Sequence, residues 1–351
     1  MPLQLFARFP GTASLPHVPL ASLPTPLEPM RVAGLDVRSL SVKRDDLTAE
    51  AYGGNKVRKL EFLLGQAVAE RRCAVITFGA YGSNHALATA VHARALGLEP
   101  HVVLSPQAPT PFARATLLAH VCVGSVIHVV EGWDGAREAV RVRSELAERD
   151  FMEPLVIPMG GTSPLGALGY VNAALEVAAQ APDVVYVAAG TLGTAVGLAV
   201  GFAAAGCATR VEAVRVTPAE LANAEVARTL AEGIVALLRT ADATFPEPCF
   251  PELALEIRDE FFEPGYGVVT SETLEAVNVA AGAGITLETT YTGKAFSALI
   301  ADAHAGRLAG ADVLFWDTYH SGPMPAPGPV EALPPVLQVY VAECERLFGR
   351  S

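Results

Sequence analysis

Paired cysteines are missing from this chain. Cys73, Cys122, Cys207, Cys249 and Cys344 stand far apart and form no CxxC spacing. The odd count argues against a disulfide framework, and no metal site is expected from it. A charged tail or basic face is missing too. Charged residues make up 18% of the chain and the net charge is −12, which opposes a role in binding a phosphate backbone. Met1–Leu20 has no secretory pattern, and its prolines oppose a signal helix. Reduced thiols in the cytoplasm are the expectation. Neither a fixed-period repeat nor a low-complexity tract stands out.

What is present is apolar and long. Hydrophobic residues account for 51% of 351 positions, enough for two cores of ordinary domain size. Val184–Ala208 carries no charge, a length that could span a bilayer. Gly190, Thr191, Gly193, Thr194 and Gly197 interrupt it, so a buried strand, a glycine turn and a buried helix account for it better. No membrane or nucleic-acid partner is expected.

Strand-like and helix-like segments alternate. Val42–Asp45 reads as a strand end, followed by a helix whose Val57, Leu60, Leu64, Ala67 and Val68 share one face. The run Ala74–Phe78 and the segments Val102–Leu104, Val126–Val130 and Leu155–Ile157 read as strands. Helices are expected over Ser83–Leu96, Phe112–His120 and Gly135–Glu148. A second series follows: a helix from about Gly166, strand Val184–Ala189, a helix to Ala205, and strand Val211–Val216. Further helices are expected over Ala219–Leu238, Glu272–Ala281 and Gly293–Ala305. Strand Val313–Trp316 and a last helix opened by Pro335 complete the series. Such alternation predicts an α/β protein with parallel sheets covered by helices on both faces.

The chemistry-bearing segment is Lys43-Arg-Asp-Asp-Leu-Thr-Ala-Glu-Ala-Tyr-Gly-Gly-Asn-Lys-Val-Arg-Lys-Leu60. Gly53 and Gly54 permit a tight turn and Asn55 can cap a helix, so Lys56 falls in the first helical turn. The helix dipole disfavours a cation there by ~0.3–1 kcal/mol. On these residues alone, a solvated lysine beside Arg58 and Lys59 is the plainer reading. A Schiff-base lysine must instead be partly neutral, its pKa drawn from ~10.4 towards ~7–8, a shift of ~3–5 kcal/mol. Burial and cationic neighbours can supply that. Two more loops suit such a site. Gly82-Ser83-Asn84-His85 follows a strand and opens a helix. Gly190-Thr191-Leu192-Gly193-Thr194 lies between an apolar strand and an apolar helix, where backbone and hydroxyl groups can hold an anion. An NAD site is disfavoured, because Rossmann spacing and an acid after strand Val211–Val216 are both missing.

Lys-Arg-Asp-Asp-Leu-Thr followed by Gly-Gly-Asn-Lys-x-Arg-Lys-Leu-Glu-Phe-Leu, with Leu23-Pro-Thr-Pro-Leu-Glu28 before it, resembles the 1-aminocyclopropane-1-carboxylate (ACC) deaminase/D-cysteine desulfhydrase family. That family depends on pyridoxal 5′-phosphate (PLP) and has the tryptophan-synthase-β fold. The resemblance is densest over residues 23–96, 160–171, 184–198, 262–277 and 291–299. It implies two open parallel-sheet domains with the cofactor in the cleft between them. Residues 1–49 and 161–351 would form the large domain and 50–160 the small one, in a homodimer.

The resemblance also implies roles. Lys56 would carry PLP, Asn84 would bond its 3′-oxygen, and Gly190, Thr191, Leu192, Gly193 and Thr194 would hold its phosphate. Ser83 would face the substrate as a proton-transfer group or nucleophile. Tyr266, in Pro-Gly-Tyr-Gly, and Tyr291 match two active-site tyrosines. Gly160-Gly161-Thr162 and Leu165–Tyr170 match a stretch near the cofactor. His85 fits the desulfhydrase branch, where ACC deaminases carry glutamine, and Thr292 stands where they carry glutamate. The family's His-Thr-Gly-Gly appears here as Asp317-Thr318-Tyr319-His320. Thr318 aligns with the threonine facing the ring nitrogen, with Asp317 as the alternative. The implied activity is β-elimination from a small amino acid, D-cysteine above all, giving pyruvate, ammonia and hydrogen sulfide. ACC ring opening to 2-oxobutyrate is the nearest rival, and a PLP-binding, non-catalytic paralogue is the rival from another class.

Overall fold

The computed structural model describes residues 2–132, 135–150, 153–248, 250–262 and 265–349. Cys249 and Pro264 of the Pro-Gly-Tyr-Gly motif lie outside the described residues. Along the chain run α1 (Gln4–Arg8), β1 (Leu27–Pro29), β2 (Ser39–Arg44), α2 (Lys56–Ala69), β3 (Ala74–Ala80), α3 (Asn84–Ala95) and β4 (Glu99–Ser105). Next come α4 (Pro111–Val123), β5 (Val126–Val129), α5 (Gly135–Asp150), β6 (Leu155–Val156), α6 (Pro164–Val177), β7 (Val184–Ala189) and α7 (Gly193–Ala205). β8 (Arg210–Arg215), α8 (Ala224–Ala241), β9 (Leu255–Arg258), α9 (Ser271–Gly282), α10 (Thr292–His304), β10 (Asp312–Asp317) and α11 (Pro335–Phe348) complete it.

These elements form two compact units. The first comprises residues 1–15, 21–62 and 162–321, and the second 16–20, 63–161 and 322–351. Residues 50–62, expected in the smaller domain, thus pack with the first unit, and 322–351 with the second. The reason is visible in the packing. Arg58 of α2 is tied to Asp45 and Glu176 of the first unit, and Leu337 and Val341 of α11 are buried against Leu117 and Leu118 of α4.

The first unit is built on a six-stranded sheet in the order β1-β2-β10-β7-β8-β9. Only β1 runs antiparallel to its neighbour among these described strands. Alternate residues of β7 point to opposite faces. Val185 and Val187 join a core with α6, α7 and α8, while Val184 and Tyr186 join another with α9 and α10. Both faces are therefore covered, which is why these strands read as unbroken apolar runs. Helices α6 and α7 pack closely because an added Cβ at Gly197 would lie 2.6 Å from Tyr170 Cβ, and one at Gly201 2.6 Å from Ala174 Cβ.

The second unit holds the parallel sheet β5-β4-β3-β6. Val102 and Leu104 face α3, α4 and α11, and Val103 faces α5. The uncharged run 184–208 resolves into β7, a loop and α7. No helix among the described residues is long and apolar enough to cross a membrane. Cys73, Cys122, Cys207 and Cys344 take part in no disulfide among the described residues.

Candidate active site

The first unit places Lys56 as the opening residue of α2. Gly54, at φ +90°, turns the chain into the helix, and its N–H donates to Asp45 O at 3.0 Å. Below this turn lies a buried ionic cluster. Arg58 donates to both carboxylate oxygens of Asp45 at 2.8 Å and to both of Glu176 at 2.7 and 3.0 Å. Tyr170 Oη, Trp316 Nε1 and Thr25 Oγ1 also donate to Asp45. Burial raises the Asp45 carboxyl, but the Arg58 guanidinium and these donors outweigh it and hold the group below the usual carboxylate range. Lys43 completes the cluster, 3.0 Å from Glu176. The helix start is thus fixed from beneath by four charges that sum to zero.

Lys56 is partly buried, and burial lowers its ammonium to about 8. One turn on, Lys59 is buried at 2% exposure and pushed well down by burial and by the charge of Lys56. Two amines on one face of a helix, each made easy to deprotonate, are costly unless an anion or a covalent bond compensates.

The loop 190–194 supplies the rest. It follows β7 and turns sharply at Leu192, whose φ of 63° lies in the left-handed region that side chains avoid. α7 then begins at Gly193. A Cβ on Gly193 would stand 2.6 Å from Thr162 Oγ1 and 2.8 Å from Lys59 Nζ, so the hydroxyl and the amine close on a backbone with no side chain. Thr162 Oγ1 and Thr191 Oγ1 are 2.7 Å apart. Asn55 sends its Nδ2 to Thr194 Oγ1 at 3.1 Å and so ties the lysine's turn to the loop. Together these form a cradle of glycine backbone, three threonine hydroxyls, a helix N-terminus and a lysine amine that an anion would keep charged, which is the donor set a phosphate needs. With an easily deprotonated lysine one turn away, the residues fit PLP. Lys59 escaped the sequence reading, though its spacing of three from Lys56 on an otherwise apolar face was the available signal.

Tyr291 closes the other side of the loop. A Cβ on Gly190 would lie 3.4 Å from its ring. Its hydroxyl meets that of Tyr266 at 2.8 Å. Burial, then the neighbouring Tyr266, push Tyr291 well above its ordinary range, and burial raises Tyr266 as well. The partly buried Glu288 carboxylate accepts the backbone N–H groups of Thr290, Tyr291 and Thr292 at 2.7 to 2.8 Å, capping α10. Glu288 is another residue the sequence reading passed over.

At the end of β10, Asp317 is buried. Its Oδ1 accepts the Tyr319 N–H at 3.2 Å, and its Oδ2 has no hydrogen-bond partner. Burial, then the charge of Asp46, raise it well above the usual range. Thr318 is buried, and its carbonyl accepts the Asn55 N–H at 3.1 Å. In the second unit, Ser83 caps α3 by accepting the Ala86 N–H at 3.2 Å, and Asn84 is the first helical residue. His85 Nε2 lies 2.8 Å from Thr77 Oγ1.

Comparison with known proteins gives the family. The family model described as pyridoxal-phosphate dependent enzyme matches residues 18–318. The chain is 35% identical over 313 residues to a D-cysteine desulfhydrase of Salmonella paratyphi B, covering 86% of this chain and 90% of the relative. The desulfhydrase of Salmonella newport matches equally. A solved ACC deaminase homologue superposes with a TM-score of 0.75 at 32% identity, covering 92% of this chain and 96% of the other. The processed form of threonine deaminase isoform 2 from Solanum lycopersicum shares the fold, with a TM-score of 0.59 at 17% identity over 98% of this chain and 89% of that one. A match spanning most of the chain, with relatives aligned nearly end to end, makes this chain a member of the pyridoxal-phosphate dependent enzyme family.

Proposed function

We propose that the protein is a lyase that eliminates the β-substituent of a small amino acid, with D-cysteine as the leading substrate. Water completes the reaction, so that D-cysteine and water give pyruvate, ammonia and hydrogen sulfide. One observation carries the reading: Lys56, lowered to about 8 by burial, opens a helix whose next turn brings Lys59 against the glycine cradle at Gly193. The relatives of known name act in the same sense. The Salmonella proteins are D-cysteine desulfhydrases.

When bound, PLP acts as an electron sink for charge that develops at the substrate's α-carbon. The protein's own residues do the rest. Lys59, Thr162, Thr191, Thr194 and the start of α7 would hold the phosphate. Lys56, whose amine burial makes easy to deprotonate, would be the residue that holds the cofactor and would serve as general base for the substrate's α-proton. Tyr291, kept protonated by burial, and Tyr266, paired with it at 2.8 Å, would donate hydrogen bonds rather than accept protons. By the resemblance, Asn84 would bond the cofactor's 3′-oxygen and Ser83 would face the substrate. Were Thr318 to face the ring nitrogen, elimination would be favoured over transamination; Asp317 there would strengthen the electron sink. The chain works as a homodimer in the cytoplasm.

The purified protein supplied with PLP is tested with D-cysteine and with ACC. Pyruvate and sulfide from the first, at a rate well above that of free PLP, support the reading. Release of 2-oxobutyrate from ACC alone replaces it with ring opening, for which Ser83, Tyr266 and Tyr291 would serve. No turnover of either substrate, with Lys56→Ala indistinguishable from wild type in absorbance, overturns it.

A further inference from the structure

We propose that His320 is a positioning residue for Lys56, a proton-sensitive latch on the turn that delivers the lysine into its helix. The inference rests on the reading that Lys56 carries PLP.

Three backbone N–H groups fix that turn from outside. Gly54 N–H donates to Asp45 O at 3.0 Å and Asn55 N–H to Thr318 O at 3.1 Å. The third, Gly53 N–H, donates to a side chain, His320 Nδ1, at 2.9 Å. The first two acceptors are carbonyls and keep their lone pairs at any pH. The third is an imidazole nitrogen that accepts only while it is unprotonated, with the ring's proton on Nε2. An imidazolium would present N–H to N–H and the bond would be lost.

The ring has little freedom to find another place. It lies 4.2 Å from the Tyr52 ring at 36°, and Tyr52 is 1% exposed. Gly54 presses on the same segment, since a Cβ there would meet Thr318 O at 3.0 Å and His320 N at 3.3 Å. His320 itself is 5% exposed. The glycine that the family pattern puts at this position could offer no such acceptor, so the latch belongs to this chain's Asp-Thr-Tyr-His variant.

Several ionisable groups lie near it. Asp46 is reached through Ser321 Oγ at 2.6 Å and is paired with Arg44, and Asp45 is paired with Arg58. Tyr52 lies against the ring, and Asp317 and Tyr319 share its segment. The two paired carboxylates are already neutralised, so the event that alters the Gly53 bond directly is protonation of the ring.

The test uses the PLP-loaded protein and two substitutions. His320→Asn puts Oδ1 near the Nδ1 position, an acceptor that does not titrate. His320→Phe keeps a ring beside Tyr52 and removes the acceptor. PLP retention on dilution and the absorbance of the lysine-bound cofactor are followed from about pH 9 to about pH 5. In wild type, retention should fall about tenfold through one protonation step. His320→Asn should abolish the step, and His320→Phe should show the weakened retention at every pH. A wild-type inflection surviving in both variants overturns the latch. Should His320→Phe not fold, His320→Asn decides alone. Hydrogen exchange of the Gly53 amide in the cofactor-free wild type is the independent readout. Loss of its protection at acid pH supports the latch, and unchanged protection overturns it. A wild type with no lysine-bound absorbance sinks the assignment of Lys56, while the amide still reads the latch.

Discussion

Arg58 grips Asp45 with two nitrogens, each 2.8 Å from a different carboxylate oxygen, and neither side chain has any exposed surface. Because Arg58 sits two residues after Lys56, the pair fixes the base of the lysine's turn. Arg58→Met would leave Asp45 and Glu176 buried without their main counter-ion. Removing one partner of a buried pair costs about 3–5 kcal/mol, and urea unfolding should register a loss of that size. The Asp45 carboxyl is held down in the folded state, so its contribution is complete above its unfolded pKa and disappears as pH falls through the folded one.

Lys59→Gln should raise the PLP dissociation constant about ten- to a hundredfold, the worth of a hydrogen bond to a charged group, and leave pyridoxal lacking the phosphate nearly unaffected. Equilibrium dialysis with both ligands checks this. The cofactor-free protein has a further signature. Lys56 is lowered to about 8, so between about pH 8 and its unfolded value near 10.4 the unfolded chain binds more protons. Stability of the apoprotein should therefore rise over that window, by up to about 3 kcal/mol from Lys56 alone. Calorimetry that shows it level or falling would count against burial of the amine.

Tyr291→Phe and Tyr266→Phe remove one side of a hydroxyl pair 2.8 Å apart. Either should lower kcat by roughly a hundredfold while the cofactor's absorbance persists. Both phenols are raised by burial, so ultraviolet titration should find neither ionised at pH values where a free tyrosine already is. Glu288→Gln offers a weaker cap to the three N–H groups it serves; a loss of about 1 kcal/mol is expected.

His120 should govern part of the acid limb in the second unit. Its Nδ1 meets Ser125 Oγ at 2.9 Å and its Nε2 has no partner. Burial lowers it to about 3. The unfolded chain takes up the proton first, so stability is whole above about pH 6.5 and is lost as pH falls towards 3. His120→Gln should reduce the slope of unfolding free energy against pH by close to one proton in that window.

Much of this was open to a reader of the sequence. The helix from Lys56, the strand before the glycine loop and the strand ending at Asp317 follow from apolar runs bounded by glycine and charge, and both sheets follow from the alternation of strand and helix. Boundaries moved where local signals were weak. α8 starts at Ala224, five residues after the expected Ala219, because Asn223 provides the cap. The short β1 and β9 were overlooked, since three or four residues at a sheet edge carry little periodicity. Side-chain partners were the least legible. Asn55 had the composition of a cap, yet its amide reaches Thr194, 139 positions away. Lys59 and Glu288 look like ordinary surface charges until burial is known.

The two glycines of α7 have one more consequence. Tyr170 and Ala174 occupy the space where side chains of Gly197 and Gly201 would stand, so α6 and α7 interlock at two successive turns. A side chain at either position would have to push α6 away and with it disturb the seating of the helix that begins at the cradle.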